Sequence, residues 1–374
     1  MNNIGLIFVY KYQTYPERKF NMTTRHIYVI GVNYKTTPIE IREQFNIEIQ
    51  DYKEILINIM KIDGILECAL LSTCNRTELH LVTDKAFHET GVIEEQFCAL
   101  KGVVPYHVKK YFNVYEGMNA INHIIKVASG MDSMILGEDQ ILGQFKRAYE
   151  ISMKQGTSKS VLNTLSRLAI TSSKKIKTRN IYLGKAHSVA GRAVWLLDEL
   201  FGVELKNKRV LMIGSGEMGQ LVAQELQQKE VTGIQMTKRN MASVDKVQLI
   251  THNIEYVDYA DRYQALLECD IIISATSSPH YTITKDVLEG LIRDTHRDFL
   301  FIDLAVPRDI DTLIREINHV RLYHMDDISS LGDKETKNIK QMDLEYIQEQ
   351  IDLHTEEFIR WYQYHNAYSS KKEE

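Results

Sequence analysis

Hydrophobic and polar positions follow different patterns in successive parts of the chain. From His26 to about Leu81, short β-rich runs ("IYVIGV", "CALLST" and "LHLVT") surround "DYKEILINIM", in which Ile55, Ile59 and Met60 recur at helical spacing. This mixture predicts a small α+β unit. From Asn119 to about Lys177 the pattern is helical throughout.

A third pattern begins at Gly184. "AVWLLDELFG" predicts a helix that ends at Gly202, and "KRVLMIGSGEMG" begins an alternating β/α series. "DIIISAT" and "FLFIDLAVP" are continuous apolar runs, as expected for parallel strands that are buried on both faces. The segment from Asp326 onward is polar and compatible with a helix. We therefore predict an α/β multidomain fold.

Composition and charge narrow the class of protein. The 374 residues are 44% hydrophobic and 25% charged, which is typical of two or three globular domains. The four cysteines show neither a CxxC pair nor a spacing suited to zinc, so we expect no metal site and reduced thiols in the cytoplasm. A formal net charge of -5 argues against binding nucleic acid by bulk electrostatics, although "SSKKIKTRN" is a local basic run. Residues 1–21 do not resemble a signal peptide, and we interpret them as an N-terminal extension, with Met22 as the alternative start.

A glycine motif stands between a predicted strand and a predicted helix. Gly214, Gly216 and Gly219 form G-x-G-x-x-G after "RVLMI" and lead into the helical pattern "EMGQLVAQELQQ". In that context the motif predicts a dinucleotide site, because the glycines allow a tight turn and a close approach of a pyrophosphate to the helix N-terminus. The predicted cofactor-binding residues of this loop are Gly214, Ser215, Gly216, Glu217, Met218 and Gly219.

Two cations follow the second strand of the same region. Lys238 and Arg239 stand where NAD-binding proteins have Asp or Glu, and cations there suit a 2′-phosphate. This favours NADPH over NADH; the alternative is that both residues are simply solvated. Ser274, Thr276 and Ser278 are expected at the carboxyl end of another strand, where ligands collect in such sheets.

The stretch "LLSTCNRTELH" places Cys74 between an apolar run and a polar cluster. A free cysteine there is either a small buried residue or a reactive thiol, whose thiolate Arg76 would favour if the turn brought it close. A reactive cysteine and a nicotinamide cofactor together suggest that a thiolate takes an acyl group from an activated carboxylate and that the thioester is then reduced.

The middle region offers candidate polar anchors. His123 lies beside an apolar helical stripe, where a histidine is more often structural than catalytic. Gln140 and Gln144 are four residues apart and so share one helix face. They suit a polar ligand, but glutamines in this arrangement are more commonly just exposed.

Taken in order, these motifs resemble the glutamyl-tRNA reductase family, from about Ile27 to Trp361. Matching stretches are "GVNYKTTPIEIRE", "LLSTCNRTELH", "HIIKVASGMDSMILGEDQILGQFKRAY", "VLMIGSGEMG", "DIIISAT" and "FIDLAVPRDID". "STCNRTE" and "GEDQILGQ" are highly specific, whereas the glycine motif is not.

The resemblance implies an activity and roles for individual residues. In the family, the cysteine matching Cys74 attacks the ester that joins glutamate to tRNA, and hydride from NADPH reduces the thioester to glutamate-1-semialdehyde, the first step of 5-aminolevulinate and tetrapyrrole synthesis. His123 matches a histidine important for activity. Positions matching substrate contacts are Thr73, Asn75, Arg76, Ser133, Glu138, Asp139, Gln140 and Gln144.

The family architecture implies domains and partners. It comprises a catalytic, glutamyl-tRNA-binding α+β domain at residues 22–180, a Rossmann-type NADP-binding domain at 181–330 and a C-terminal spinal-type helix at 331–374. Family members form homodimers through a helical domain beyond that helix, but this chain ends soon after "FIRWYQYH", which leaves dimerisation by that route open. The partner that would receive the product is glutamate-1-semialdehyde aminomutase.

Two departures from the family support an alternative. Where the family has a serine-rich "SVSSAA" this chain has "HSVAGRAV", and the sequence ends near the point where the family's dimerisation domain would begin. A further departure, "KRN" in place of "NRT" after the second strand of the nucleotide region, keeps an arginine at Arg239. The alternative is a non-catalytic paralogue that binds NADP(H) and partners in tetrapyrrole synthesis. A free-standing semialdehyde dehydrogenase is disfavoured, because such enzymes place the nucleotide unit before the reactive cysteine.

Overall fold

A computed structural model describes residues 25–84, 90–138, 140–179, 188–231, 233–239, 254–331 and 341–373. The chain divides into two compact units, one made of Met1–Lys185 with Glu335–Glu374 and the other of Ala186–Lys334. The predicted N-terminal extension, Met22 and Asp139 lie outside the described residues.

A four-stranded antiparallel sheet forms the centre of the first unit. Its strands are β1 (His26–Asn33), β2 (Ile65–Thr73), β3 (Arg76–Thr83) and β4 (Asn113–Glu116), in the order β2-β3-β1-β4. In the β2–β3 hairpin Thr73 pairs with Arg76, so that Cys74 and Asn75 alone make the turn. The chain therefore presents Cys74 at the turn between the edge strand β2 and the central strand β3.

Helices cover this sheet and bury its apolar side chains in one core. They are α1 (Ile39–Arg42), α2 (Tyr52–Ile59), α3 (Gly91–Lys101), α4 (Pro105–Val108), α5 (Met118–Ala128), α6 (Gln140–Lys154) and α7 (Ser160–Thr178), with 3-10 turns at Glu43–Phe45, Ile49–Asp51 and Lys109–Tyr111. The C-terminal helix (Gln341–Glu373) packs on α5 and α7. Its buried stripe of Ile347, Ile351, Phe358 and Tyr362 has helical spacing and joins the same core.

The expectation of helix throughout residues 119–177 was wrong in two parts: residues 155–159 separate α6 from α7, and a longer break lies between α5 and α6. Between α5 and α6 the described residues 129–138 form a loop. Gly130 and Gly137 there have positive φ values of 74° and 77°, which an α-helix does not allow. The amide of Gly137 donates to the carbonyl of Gly130 at 2.9 Å, and this bond closes the loop.

The second unit is a six-stranded parallel sheet with helices. Its strands are β5 (Arg209–Ile213), β6 (Gly233–Lys238), β7 (Ile254–Asp258), β8 (Ile271–Ser274), β9 (Phe299–Asp303) and β10 (Val320–His324), in the order β10-β9-β8-β5-β6-β7. The helices are α8 (Val189–Phe201), α9 (Glu217–Gln228), α10 (Arg262–Glu268), α11 (Lys285–Ile292) and α12 (Met325–Leu331), with 3-10 turns at Gly202–Asn207, Tyr259–Asp261 and Thr312–Glu316.

This strand order is that of a Rossmann-type domain, and it confirms the predicted fold class. The order reverses between β5 and β8, and ligands of such sheets bind at the carboxyl ends of the strands on either side of that point. The helix α9 covers the predicted "EMGQLVAQELQQ" in full, and α8 ends before Gly202 as predicted. Within the described residues, no helix is both long and apolar enough to cross a membrane.

Candidate functional site

The turn between β2 and β3 is held by several hydrogen bonds. The Thr73 hydroxyl accepts from the amides of Asn75 at 3.2 Å and Arg76 at 3.3 Å. Arg42 Nη1 donates to the carbonyl of Cys74 at 3.1 Å, and the amide of Tyr34 donates to that of Asn75 at 2.9 Å. These bonds fix the backbone that carries the Cys74 thiol.

Cys74 differs from the other three cysteines in its accessibility. Cys74 is half-buried, whereas Cys68, Cys98 and Cys269 are buried. Burial raises the pKa of the Cys68 thiol and raises the pKa values of Cys98 and Cys269 to about 11. Since the thiolate is the nucleophile, those three thiols are inert at neutral pH, and Cys74 is the candidate reactive thiol.

A cluster of charged side chains is buried behind the turn. Arg76, Glu78 and His80 are alternate residues of β3 and therefore project from the same face. Arg76 Nη1 donates to Glu78 Oε1 at 2.7 Å, and Nη2 donates to Asp132 Oδ2 at 3.0 Å and to the Asp132 carbonyl. The positive charge that the sequence placed near Cys74 is thus shared with two carboxylates.

His123 on α5 joins this cluster. Its Nε2 lies 2.9 Å from Glu78 Oε1, and its Nδ1 lies 3.8 Å from Asp132 Oδ2. An ionised carboxylate only accepts hydrogen bonds, so Nε2–H is the donor to Glu78, and Nδ1 is the ring nitrogen that this bond leaves for another partner. The Tyr115 ring stacks on the imidazole with a centroid distance of 4.0 Å, which fixes the plane of the ring.

The charges of the cluster shift its pKa values in consistent directions. Burial opposes ionisation of Glu78, but Arg76 and His123 outweigh it and hold the pKa well below the usual range. The pKa of Asp132 is lowered to about 2, because Arg76, His123 and Lys35 outweigh burial. Both carboxylates are therefore ionised at neutral pH.

His80 is a second histidine that contacts Glu78. Its Nδ1 lies 2.8 Å from the Tyr149 hydroxyl and its Nε2 lies 3.5 Å from Glu78 Oε2. Burial lowers the pKa of His80, so its imidazole is neutral at pH 7.

The remaining predicted substrate residues differ in their burial. The loop 129–138 supplies Asp132 to Arg76, and the next residue, Ser133, is buried. Glu138 is also buried, Gln140 is half-buried at the start of α6, and Gln144 is exposed. Asn75 is 5% exposed, and its Oδ1 is buried without a hydrogen-bond partner among the described residues, so it can accept from a ligand.

Sequence reasoning missed several members of this cluster. Glu78, His80, Tyr115 and Asp132 were not singled out, although the alternation of polar residues in "RTELH" was a signal. In a strand buried along its whole length, polar residues at every second position need buried partners.

A cleft of about 520 Å³ lies at the carboxyl ends of β5, β6 and β8 in the second unit. The predicted residues that line it are Gly214, Ser215, Gly216, Glu217, Met218, Lys238 and Arg239, together with Thr237, Tyr259, Ala275, Thr276 and Ser277. The position is that of the dinucleotide site in Rossmann-type domains.

The three glycines of the motif meet different surroundings. A Cβ atom on Gly219 would lie 2.1 Å from the Gly214 carbonyl oxygen, and one on Gly214 would lie 2.6 Å from the Ala275 carbonyl oxygen. A Cβ on Gly216 would meet nothing within 4 Å. Gly214 and Gly219 thus allow close backbone packing, whereas Gly216 leaves open space above the N-terminus of α9, where a pyrophosphate fits.

The other side of the cleft is fixed by Asp309. Its Oδ2 accepts from the Ser274 hydroxyl at 2.7 Å and the Thr276 amide at 2.8 Å, and its Oδ1 accepts from the Thr276 hydroxyl at 2.6 Å. Ser274 is thereby engaged within the protein, while Thr276 still lines the cleft. Ser278, the third residue predicted at this strand end, donates to the carbonyl of His280.

The families that match this chain divide it at nearly the same place as the two compact units of the structure. The glutamyl-tRNAGlu reductase N-terminal domain family matches residues 30–180, and the shikimate/quinate 5-dehydrogenase family matches residues 196–331. The glutamyl-tRNA reductase of Clostridium novyi is 36% identical over 335 residues, which are 89% of this chain and 79% of that protein.

Two further relatives have the same name. The glutamyl-tRNA reductase of Thermodesulfovibrio yellowstonii is 32% identical over 344 residues, which are 89% of this chain and 79% of that protein. The solved glutamyl-tRNA reductase of Methanopyrus kandleri is 26% identical and covers 89% of this chain and 79% of its own, with a TM-score of 0.46. On the strength of the sequence relatives, this chain belongs to the glutamyl-tRNA reductase family.

Proposed function

We propose that this protein reduces glutamyl-tRNA to glutamate-1-semialdehyde with NADPH, through a thioester on Cys74. The observation that carries the proposal is the half-buried Cys74 thiol on a fixed two-residue turn, directly before the buried Arg76–Glu78–His123–Asp132 cluster. This is the arrangement of a nucleophile next to oriented acid–base groups.

The first step is acyl transfer to the thiol. The sulfur of Cys74 bonds to the ester carbonyl carbon, the carbon–oxygen bond to tRNA breaks, and the tRNA hydroxyl leaves. We assign His123 the role of proton acceptor for the thiol, acting through Nδ1, because Glu78 occupies Nε2. Tyr115 and Glu78 keep the imidazole in one orientation.

The second step is reduction of the thioester. When bound, a nicotinamide dinucleotide supplies the hydride that replaces sulfur on the acyl carbon, which yields the aldehyde and returns the Cys74 thiolate. Gly214 to Gly219 would hold its pyrophosphate, since Gly216 leaves open space at the helix N-terminus. Lys238 and Arg239 favour NADPH, because they line the cleft at the end of β6.

We also propose the substrate contacts and the cellular setting. The unpartnered Asn75 Oδ1 suits the ammonium group of the glutamyl moiety. By family resemblance, we propose that the other substrate contacts are Thr73, Arg76, Ser133, Glu138, Asp139, Gln140 and Gln144. The protein would act in the cytoplasm and pass the semialdehyde to glutamate-1-semialdehyde aminomutase.

The test is product formation by purified protein from glutamyl-tRNA and NADPH. Wild type and Cys98→Ala, which removes a buried thiol of the same unit, should form semialdehyde, and Cys74→Ser should not. Without NADPH, wild type should still release glutamate slowly, because water attacks the thioester. No product from folded wild type would support the non-catalytic paralogue, and equal rates with Cys74→Ser would refute the thioester.

A further inference from the structure

We propose that Tyr259, anchored by Arg262, positions Arg239 to bind the 2′-phosphate of the dinucleotide and so sets the preference for the phosphorylated cofactor. The inference deepens the proposed function and rests on its choice of NADPH. It assigns Tyr259 and Arg262 as positioning residues, which act through Arg239.

The geometry brings two guanidinium groups to one aromatic ring. Arg239 Cζ lies 5.2 Å from the centroid of the Tyr259 ring, and Arg262 Cζ lies 4.5 Å from it. Both distances are within the range of cation–π attraction. The ring is half-buried and lines the cleft together with Arg239.

Arg262 is fixed by bonds of its own. Its Nε donates to the Thr282 carbonyl at 2.9 Å, and its Nη1 donates to the Tyr259 carbonyl at 3.1 Å. Its Cζ also lies 4.8 Å from the centroid of the Tyr263 ring. Arg262 therefore holds both the backbone and the ring of Tyr259 in place.

The adjacent cation, Lys238, also lies over the ring of a tyrosine. Lys238 Nζ lies 5.5 Å from the centroid of the Tyr256 ring, and Tyr256 is on β7, the strand next to β6. The two cations at the end of β6 thus stand over tyrosines of β7 and of the 3-10 turn that follows it. In Rossmann-type domains the end of this strand meets the adenosine ribose, where a 2′-phosphate would project.

The ring matters because an exposed arginine otherwise samples many rotamers. Holding the Arg239 guanidinium over Tyr259 reduces the entropy lost when a phosphate binds. The Arg239 guanidinium held there also brings positive charge to the cleft, and this charge attracts a phosphate dianion. A 2′-hydroxyl gains nothing from either effect. The Arg239 guanidinium held over the Tyr259 ring therefore discriminates between NADPH and NADH.

The experiment measures the affinities of adenosine 2′,5′-bisphosphate and adenosine 5′-monophosphate by titration calorimetry on the full chain. The two probes differ only in the 2′-phosphate. Wild type should bind the bisphosphate more tightly. Tyr259→Leu should weaken bisphosphate binding about three- to fivefold and leave monophosphate binding within about twofold. Tyr259→Phe, which retains the ring, should behave as wild type.

Tyr281→Leu is the matched control, because Tyr281 is an exposed tyrosine of the same unit that does not line the cleft. It should leave both affinities unchanged. If Tyr259→Leu fails to fold, Arg262→Leu, which keeps the ring but removes its anchor, should show the same selective loss.

The outcomes separate the inference from the function on which it rests. Equal affinities of wild type for the two probes would overturn the NADPH assignment and the inference with it. A wild-type preference that survives in Tyr259→Leu, or a loss of both ligands by the same factor, would overturn the inference alone. An equal loss of affinity for both probes would mean that the Tyr259 ring only stacks on adenine.

Discussion

Separate substitutions of Gly216 and Gly219 test whether each glycine leaves room for the ligand or allows close packing of the protein backbone. Gly219→Ala places a Cβ 2.1 Å from the Gly214 carbonyl oxygen, so α9 or the loop must move. Such overpacking costs about 1–3 kcal/mol. Gly216→Ala meets nothing within 4 Å, and the backbone φ of -72° suits alanine, so the apo protein should lose less than about 1 kcal/mol.

The two variants should therefore differ in stability but share a loss of cofactor binding. We expect Gly219→Ala to lower the melting temperature of the apo protein by several degrees, at roughly 4 °C per kcal/mol for a unit of this size, and Gly216→Ala to leave it nearly unchanged. Binding of NADPH, followed by nucleotide fluorescence, should fall in both. Wild-type affinity in Gly216→Ala would refute the placement of the pyrophosphate over that residue.

Three further predictions concern the first unit. Iodoacetamide at pH 8 should label Cys74 alone in folded wild type, because burial raises the pKa values of the other three thiols. Labelled Cys68, Cys98 or Cys269 in folded protein, detected by peptide mass spectrometry, would contradict this prediction. Because folding lowers its pKa, ionised Asp132 should contribute roughly 2 kcal/mol to the free energy of unfolding above about pH 4, and this contribution should disappear as the pH falls through about 2. Urea unfolding at several pH values, with Asp132→Asn as reference, should show that loss. Arg76→Met removes the cation shared by two buried carboxylates and should cost about 3–5 kcal/mol in urea unfolding, whereas Arg179→Met at the surface should cost less than about 1 kcal/mol.

The nucleotide-binding unit was largely predictable because its signals are local. Each strand of a doubly covered parallel sheet is a short apolar run, and the glycine motif marks one strand-to-helix turn. The predicted helix "EMGQLVAQELQQ" therefore corresponds to α9 at both ends. The contact between Tyr259 and Arg262 was not predicted, since neither residue stands in a motif.

The buried cluster was less predictable because its members are distant in sequence. Arg76 meets His123 and Asp132 across 47 and 56 residues, and no periodicity encodes which polar side chains will meet across such distances. Arg76 itself was noticed, but as a cation for Cys74 and not as the partner of two carboxylates. The loop that delivers Asp132 depends on positive φ at Gly130 and Gly137. Gly130 indicates a break in the helical pattern, but no periodicity indicates that the loop extends to residue 138.

The central claim is that Cys74 carries the glutamyl group as a thioester, and intact-peptide mass spectrometry tests it directly. Wild-type protein mixed with glutamyl-tRNA in the absence of NADPH, quenched in acid and digested, should carry one glutamyl group on the peptide that contains Cys74. Addition of NADPH before the quench should remove that group and produce semialdehyde in equal amount. A glutamyl group on any other residue, or an unmodified Cys74 peptide while semialdehyde accumulates, would contradict the account.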